Sequence, residues 1–178
     1  KELFKIKCYE KAKKLREIMT GLFGVATDGD CAKELFYGTD YHSHLAAEWA
    51  GVAITTSKGI FRKRNQIKNV QFKTKFGEIR DLTGSCGIGV LSNERQPICE
   101  KSKLGNFALA TDSKVLNIEN IVGELYDAGV SLSEASFQSP NHTEIISKLI
   151  HQKSSVEEGI AYAMNRVVGS CSLLLLNE

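Results

Sequence analysis

The chain is poor in proline, with two in 178 residues, and it has one tryptophan, two methionines and four histidines. So little proline excludes polyproline segments, and no low-complexity stretch is present. An excess of charge of one sign is also missing. Lysine plus arginine number 23 against 21 for aspartate plus glutamate, giving a formal net charge of +2. That is too small to argue for a nucleic-acid partner. No apolar run reaches the roughly 18 residues that a membrane span needs, so no membrane partner is expected. The first 19 residues carry charges throughout and lack the apolar core of a signal peptide. Cys8, Cys31, Cys86, Cys99 and Cys171 form no Cys-x-x-Cys pair and are odd in number. Free thiols in a reducing cytoplasm are the expectation.

What is present suits one domain with a substantial core: 42% hydrophobic and 25% charged residues. The basic excess gathers in two places. One is the N-terminal segment, with Lys1, Lys5, Lys7, Lys11, Lys13, Lys14 and Arg16; the other runs from Lys58 to Lys75. Both read as a solvated helix face and a solvated hairpin, with a phosphate or acidic-partner surface as the alternative.

Residues 2–18 read as a basic helix, with Leu3, Ile6, Ala12, Leu15 and Ile18 near one face. Residues 20–26 read as a strand, and 31–38 as a short helix ending at Gly38. Residues 42–50 are ambiguous. Gly51 to Thr56 is a strand that returns through the turn Ser57-Lys58-Gly59 as Ile60 to Lys63. Residues 65–74 read as a short polar helix or loop. Gly84 to Leu91 is glycine-rich and strand-like, and Gln96-Pro97 breaks the pattern. Asn106 to Thr111 is a strand, which Lys114 to Leu116 continues or pairs with. Ile118 to Ala128 is a helix ending at Gly129. Asn141 caps a helix to about Gln152, and Ser155 starts another to about Val168. Ser172 to Leu176 is an apolar strand. Strands lead, helices follow and a strand returns, which predicts an α+β sandwich with helix layers outside antiparallel sheets.

The order of these pieces resembles the glutaminase domain of the class II glutamine amidotransferases, which are N-terminal-nucleophile (Ntn) hydrolases, and among them the amidophosphoribosyltransferases of purine synthesis. The family opens with Met-Cys-Gly-Ile-x-Gly; here Met19-Thr20-Gly21-Leu22-Phe23-Gly24 stands. Its LYYGLYALQHRGQESAGI is similar to LFYGTDYHSHLAAEWAGV over Leu35 to Val52. Its Asn-x-Gln-Pro resembles Glu94-Arg95-Gln96-Pro97, and its LAHNGNLVN resembles LATDSKVLN over Leu109 to Asn117. Its SDTEVILHLI resembles NHTEIISKLI over Asn141 to Ile150, and the last helix and strand match as well. The resemblance covers residues 19–178 and leaves 1–18 as an N-terminal extension. It implies a four-layer αββα sandwich, shorter at its C-terminal end than the family, and no cofactor or metal.

In that family a cysteine with a free α-amino group attacks the glutamine amide, and the amine relays the proton. Thr20 holds the nucleophile position, but 19 residues precede it, so its nitrogen is a peptide amide unless the chain is cut after Met19. The resemblance places Asp112 and Ser113 at the former oxyanion hole, where the family has Asn-Gly. A carboxylate there repels a developing oxyanion. It places His142 where an aspartate holds the substrate ammonium; an imidazole would not attract it. It gives no arginine at the carboxylate clamp. His44 and Glu48 remain from the HRGQE stretch, with Leu45, Ala46 and Ala47 between them.

Two decoys have blander readings. Cys86-Gly87-Ile88-Gly89 looks like the opening motif but lies mid-chain, and Cys86 reads as a buried structural cysteine. His42 and His44 beside Asp40 lack a matching second ligand group for zinc. The reading is a catalytically degenerate glutaminase-like domain with a binding, regulatory or assembly role, holding a small-molecule ligand in its altered pocket. Its apolar last strand calls for a homo-oligomer or a partner protein to complete the sheet. The alternative is an active hydrolase that uses Thr20 after loss of residues 1–19. A residual amidophosphoribosyltransferase-type enzyme within a larger assembly is a third.

Overall fold

The computed structural model of the chain describes residues 20–45, 47–134 and 139–178. The helix expected over residues 2–18 lies outside the described residues. Strand β1 (Gly21–Ala26) leads into helix α1 (Ala32–Tyr41) and a 3-10 turn at His42–His44. The hairpin β2 (Trp49–Thr56) and β3 (Gly59–Gln66) follows, then the short helix α2 (Phe72–Phe76) and a second 3-10 turn. Next come β4 (Cys86–Ser92), β5 (Ile98–Ser102) and β6 (Gly105–Val115). Helices α3 (Ile118–Asp127), α4 (His142–Ile150) and α5 (Val156–Arg166) precede the last strand, β7 (Gly169–Asn177).

The strands form two antiparallel sheets, ordered β1-β4-β2-β3 and β5-β6-β7. The alternation of side chains sorts the core into three apolar layers. Leu35, Phe36, Val52, Ile54, Phe72 and Leu91 fill the space between α1, α2 and the first sheet. Ala53, Ile88, Val90, Ala108, Ala110 and Leu176 lie between the sheets. Leu109, Val115, Ile121, Leu125, Ile145 and Leu149 join the second sheet to α3, α4 and α5. The result is the αββα order of layers that the sequence implied. Each large apolar side chain buried this way contributes about 1.5–3 kcal/mol relative to exposure.

Three local expectations need correction, and one open choice is settled. Gly38 does not end α1, which runs on to Tyr41. A Cβ at Gly38 would lie 2.2 Å from the Phe23 ring, so the glycine is there for the close approach of α1 to β1. Of the two expectations for Lys114 to Leu116, continuation is the one found: residues 114–115 extend β6 as one 11-residue strand. Cys86 is half-buried rather than enclosed, at the sheet end of β4. The hairpin basics are not merely solvated: Lys63 pairs with Glu78 at 2.6 Å, Arg64 with Glu134 at 2.8 Å and Lys68 with Glu48 at 2.6 Å. At the turn between β2 and β3, Gly59 takes φ +104°, a region costly for any side chain.

Both helix caps expected near the C-terminal end are present. The Asn141 side chain accepts from the Glu144 amide at 3.0 Å, and Ser155 accepts from the Glu158 amide at 3.2 Å. Among the described residues no helix is long and apolar enough to cross a membrane.

Candidate active-site cavity

The start of β1, the end of β4, the loop after it, β6 and the first turn of α4 converge on a cavity of about 220 Å³. Thr20, Ser92, Glu94, Gln96, Asp112, Ser113, Lys114 and His142 line it, together with Asn93 and Thr111. Thr20, Asp112, Ser113 and His142, named from the sequence, therefore meet in one place. His44 and Glu48 do not join them. The His44 ring Nδ1 contacts the Tyr41 carbonyl at 2.7 Å, and His44 lines a separate cavity of about 780 Å³ with Asp40, Lys68 and Lys73. Glu48 turns its carboxylate to Lys68 and meets the site's rim only through its backbone N–H, which donates to Asn93 Oδ1 at 3.2 Å.

Period-two geometry on β6 decides which groups face which side. Leu109 and Val115 pack toward the helices, as do Thr111 and Ser113. The Thr111 hydroxyl bonds Thr143 of α4 at 2.7 Å and Ser113 at 2.9 Å. Ala108 and Ala110 face the other sheet, and Asp112 and Lys114 continue that face into the cavity. The strand is held at Thr111 by an unusual partner. The ladder between β5 and β6 pairs Ile98 with Leu109, so its continuation would set Gln96 opposite Thr111. The Gln96 side chain does the pairing there. Its Oε1 accepts from the Thr111 amide at 2.7 Å, while Nε2 donates to the Thr111 carbonyl at 3.0 Å and the Ser92 hydroxyl at 3.1 Å.

Sequence reasoning missed two charged groups in the cavity. Glu94 accepts the His142 backbone N–H at 3.1 Å and also pairs with the His142 ring through Nδ1. It therefore caps α4 and holds the imidazole in one orientation. Lys114 adds a cation. Lys114 was discoverable from strand alternation, since it lies two residues beyond Asp112. Glu94 was not, because its partner is 48 residues away. Behind α4, the buried Glu144 carboxylate accepts from the Ser133 amide at 2.6 Å, the Ser133 hydroxyl at 2.9 Å and the Glu134 amide at 2.9 Å. These bonds fix the loop beside a second cavity of about 450 Å³ that shares Asn93 and Glu94 with the first. The Arg95 guanidinium lies over the Trp49 ring there, 4.6 Å from its centre. Opposite Ser113 on β7, burial first and the Asp112 charge second push the Cys171 thiol up to about 11.

No family model matches the chain. The amidophosphoribosyltransferase of Methanocaldococcus jannaschii is 28% identical over 173 residues, covering 89% of this chain and 36% of that protein. The glutamine phosphoribosylpyrophosphate amidotransferase of B. subtilis superimposes with a TM-score of 0.73 over 89% of this chain, at 21% identity. A structure described as the allosteric regulatory enzyme of purine biosynthesis gives 0.75 over 90%, also at 21% identity. The chain is thus similar in sequence to an amidophosphoribosyltransferase and shares the fold of these solved structures, the Ntn-hydrolase-like glutamine amidotransferase fold.

The chain spans about a third of the length of these amidophosphoribosyltransferase relatives, 35–36% of each. Thr20 stands just before β1 and lines the cavity with residues of β4, β6 and α4. The chain's own residues then give that cavity its character: two carboxylates, an imidazole, an ammonium and several hydroxyls.

Proposed function

We propose that this domain is a glutaminase-like fold that no longer hydrolyses glutamine and holds a small polar ligand in a regulatory or assembly role, beside an amidotransferase or purine-pathway enzyme. The observation that carries this reading is the pairing of Thr20 with Asp112 in one cavity. In the chain as written Thr20 follows Met19, so its nitrogen is a peptide amide whose lone pair is delocalised into the carbonyl and takes up no proton. Asp112 places negative charge where a tetrahedral intermediate would develop its own. Both changes act against the same transition state. The cavity's polar character supports a binding role, with Lys114 available to an anionic group and Glu94, already engaged by His142, to a donor.

Ammonia release from glutamine tests this directly. The expected rate is that of the Thr20→Ala variant. Release well above that variant would overturn the reading.

A second reading rests on Met19. Translation started there, followed by loss of that one methionine, would expose the Thr20 amine without any endoprotease, and threonine serves as an N-terminal nucleophile with its own amine as base. The N-terminal residue of protein from its native cells separates the two readings: Thr20 favours catalysis, and a retained residue 19 favours the silent domain.

A further inference from the structure

Four polar groups in the Thr20 cavity have no hydrogen bond or ion pair among the described residues. They are the Thr20 hydroxyl, the Asp112 carboxylate, the Lys114 ammonium and the second ring nitrogen of His142, Nε2. Their neighbours are already engaged: Gln96 with Thr111 and Ser92, Ser113 with Thr111, and Glu94 with His142. The four differ in kind. Asp112 only accepts. So does Nε2, because the Glu94 carboxylate takes the Nδ1 proton and the neutral ring then keeps its lone pair at Nε2. Thr20 both donates and accepts, and Lys114 only donates. A molecule that satisfies all four must donate more hydrogen bonds than it accepts.

We infer that the cavity takes a short amino alcohol, a primary ammonium with a hydroxyl a few bonds away, an inference that rests on reading the cavity as a binding site. An ammonium carries three N–H donors. Three acceptors meet it from three parts of the chain: Asp112 on β6, Nε2 of His142 at the start of α4, and the Thr20 oxygen just before β1. A planar guanidinium would match the carboxylate edge and leave the other two acceptors aside. Lys114 stands two residues beyond Asp112 on the same face of β6, about 7 Å along the strand, and donates to an oxygen at the other end of the molecule. Lys114 alone would take any oxygen; Asp112 decides which. In an α-amino acid the carboxylate sits on the carbon that bears the ammonium, so gripping that ammonium brings the carboxylate close to Asp112, a contact of like charges. A hydroxyl carries no charge to repel. Asp112 thus selects against glutamine in binding as well. The size agrees. A cavity of about 220 Å³ is smaller than the roughly 300–1,000 Å³ of sites for drug-sized ligands. At about 30 Å³ for each water-sized group it takes about seven non-hydrogen atoms.

Amide NMR titration of the full, isotope-labelled chain tests this, with ethanolamine, choline, glutamine and acetate as probes. Ethanolamine is expected to saturate below about 10 mM, with its shifts centred on Thr20, Asp112 and His142. Choline keeps the charge and the hydroxyl but has no N–H, and is expected to bind about 10-fold more weakly or worse. Asp112→Asn, at an exposed position, is expected to weaken ethanolamine binding by about 10-fold or more while the circular dichroism spectrum stays the same. Glu119→Gln removes the same charge from an exposed position on α3 and is expected to change nothing. Failure of ethanolamine to saturate overturns the inference, as do equal binding of choline and an Asp112→Asn variant that binds as before. Tighter binding of glutamine or acetate overturns it too, but leaves the cavity a binding site and fails only the ligand class. Ammonia release from glutamine would fail the underlying reading, and the inference with it.

Discussion

Replacing Gln96 by alanine should loosen the cavity from behind. Gln96 is buried, and its amide is the side-chain partner of both the N–H and the C=O of Thr111. Thr111 is itself 1% exposed, so water cannot take over either bond without the strand opening. A buried backbone group left without a partner costs about 1–3 kcal/mol. Two such groups put the loss at about 3 kcal/mol, with the Ser92 contact a smaller addition. For a chain of this size about 3 kcal/mol lowers the melting temperature by roughly 10 °C. Urea unfolding followed by circular dichroism reads the first quantity, and calorimetry the second. Gln96→Glu sharpens the test. As an anion it still accepts from the Thr111 amide but opposes the Thr111 carbonyl; when protonated it restores the donor. Its folded-state pKa is therefore raised. The restored stability is fully present below about pH 4.3, the unfolded carboxyl's value, and fades as pH rises through the folded value. A loss under about 1 kcal/mol for the alanine variant, within the range of an ordinary solvent-exchanged hydrogen bond, would refute the idea that Gln96 replaces a strand at this point.

Gly38→Ala forces the Phe23 ring out of a 2.2 Å contact; a loss of about 1–3 kcal/mol is expected, partly recovered when Phe23→Leu is added, and an unchanged urea midpoint would show that the helix shifts freely. Cys171 titrates about 11 rather than 9.0, so the folded state keeps its proton longer. The stability this gives is complete below pH 9.0 and lost as pH rises through about 11, a change of up to about 3 kcal/mol. Cys171→Ala should flatten that part of the stability-against-pH curve, and parallel curves for the two proteins would count against the assignment.

Much of this architecture was legible because local and global signals agree. The hairpin announces itself by Ser57-Lys58-Gly59 between two strand-forming runs, and the helix starts by Asn141 and Ser155 with glutamates three residues on. Four of the cavity residues came from motif order alone. What failed had a common physical origin in contacts between distant segments. Gly38 looks like a helix stop because glycine usually is one, yet its role is set by a ring from β1. The sequence around Gln96 shows a chain break at proline but not that the side chain would complete a ladder 15 residues away. Glu94 reads as one more surface carboxylate until α4 folds against it. His44 and Glu48 keep the family's residue types, but the His44 ring lines the cavity of Asp40 and Lys68 and the Glu48 carboxylate pairs with Lys68, so neither side chain lines the Thr20 cavity.

Trp49 has an optical consequence. It is the sole tryptophan of the chain, and its indole lies under a guanidinium in a chamber whose wall, Asn93 and Glu94, is also the wall of the Thr20 cavity. Every photon of tryptophan emission from this molecule thus originates one residue's thickness from the site. A molecule that draws Glu94 or Arg95 toward itself must alter the field on that indole and shift its colour, so the protein carries an unlabelled sensor with which to screen for whatever it binds.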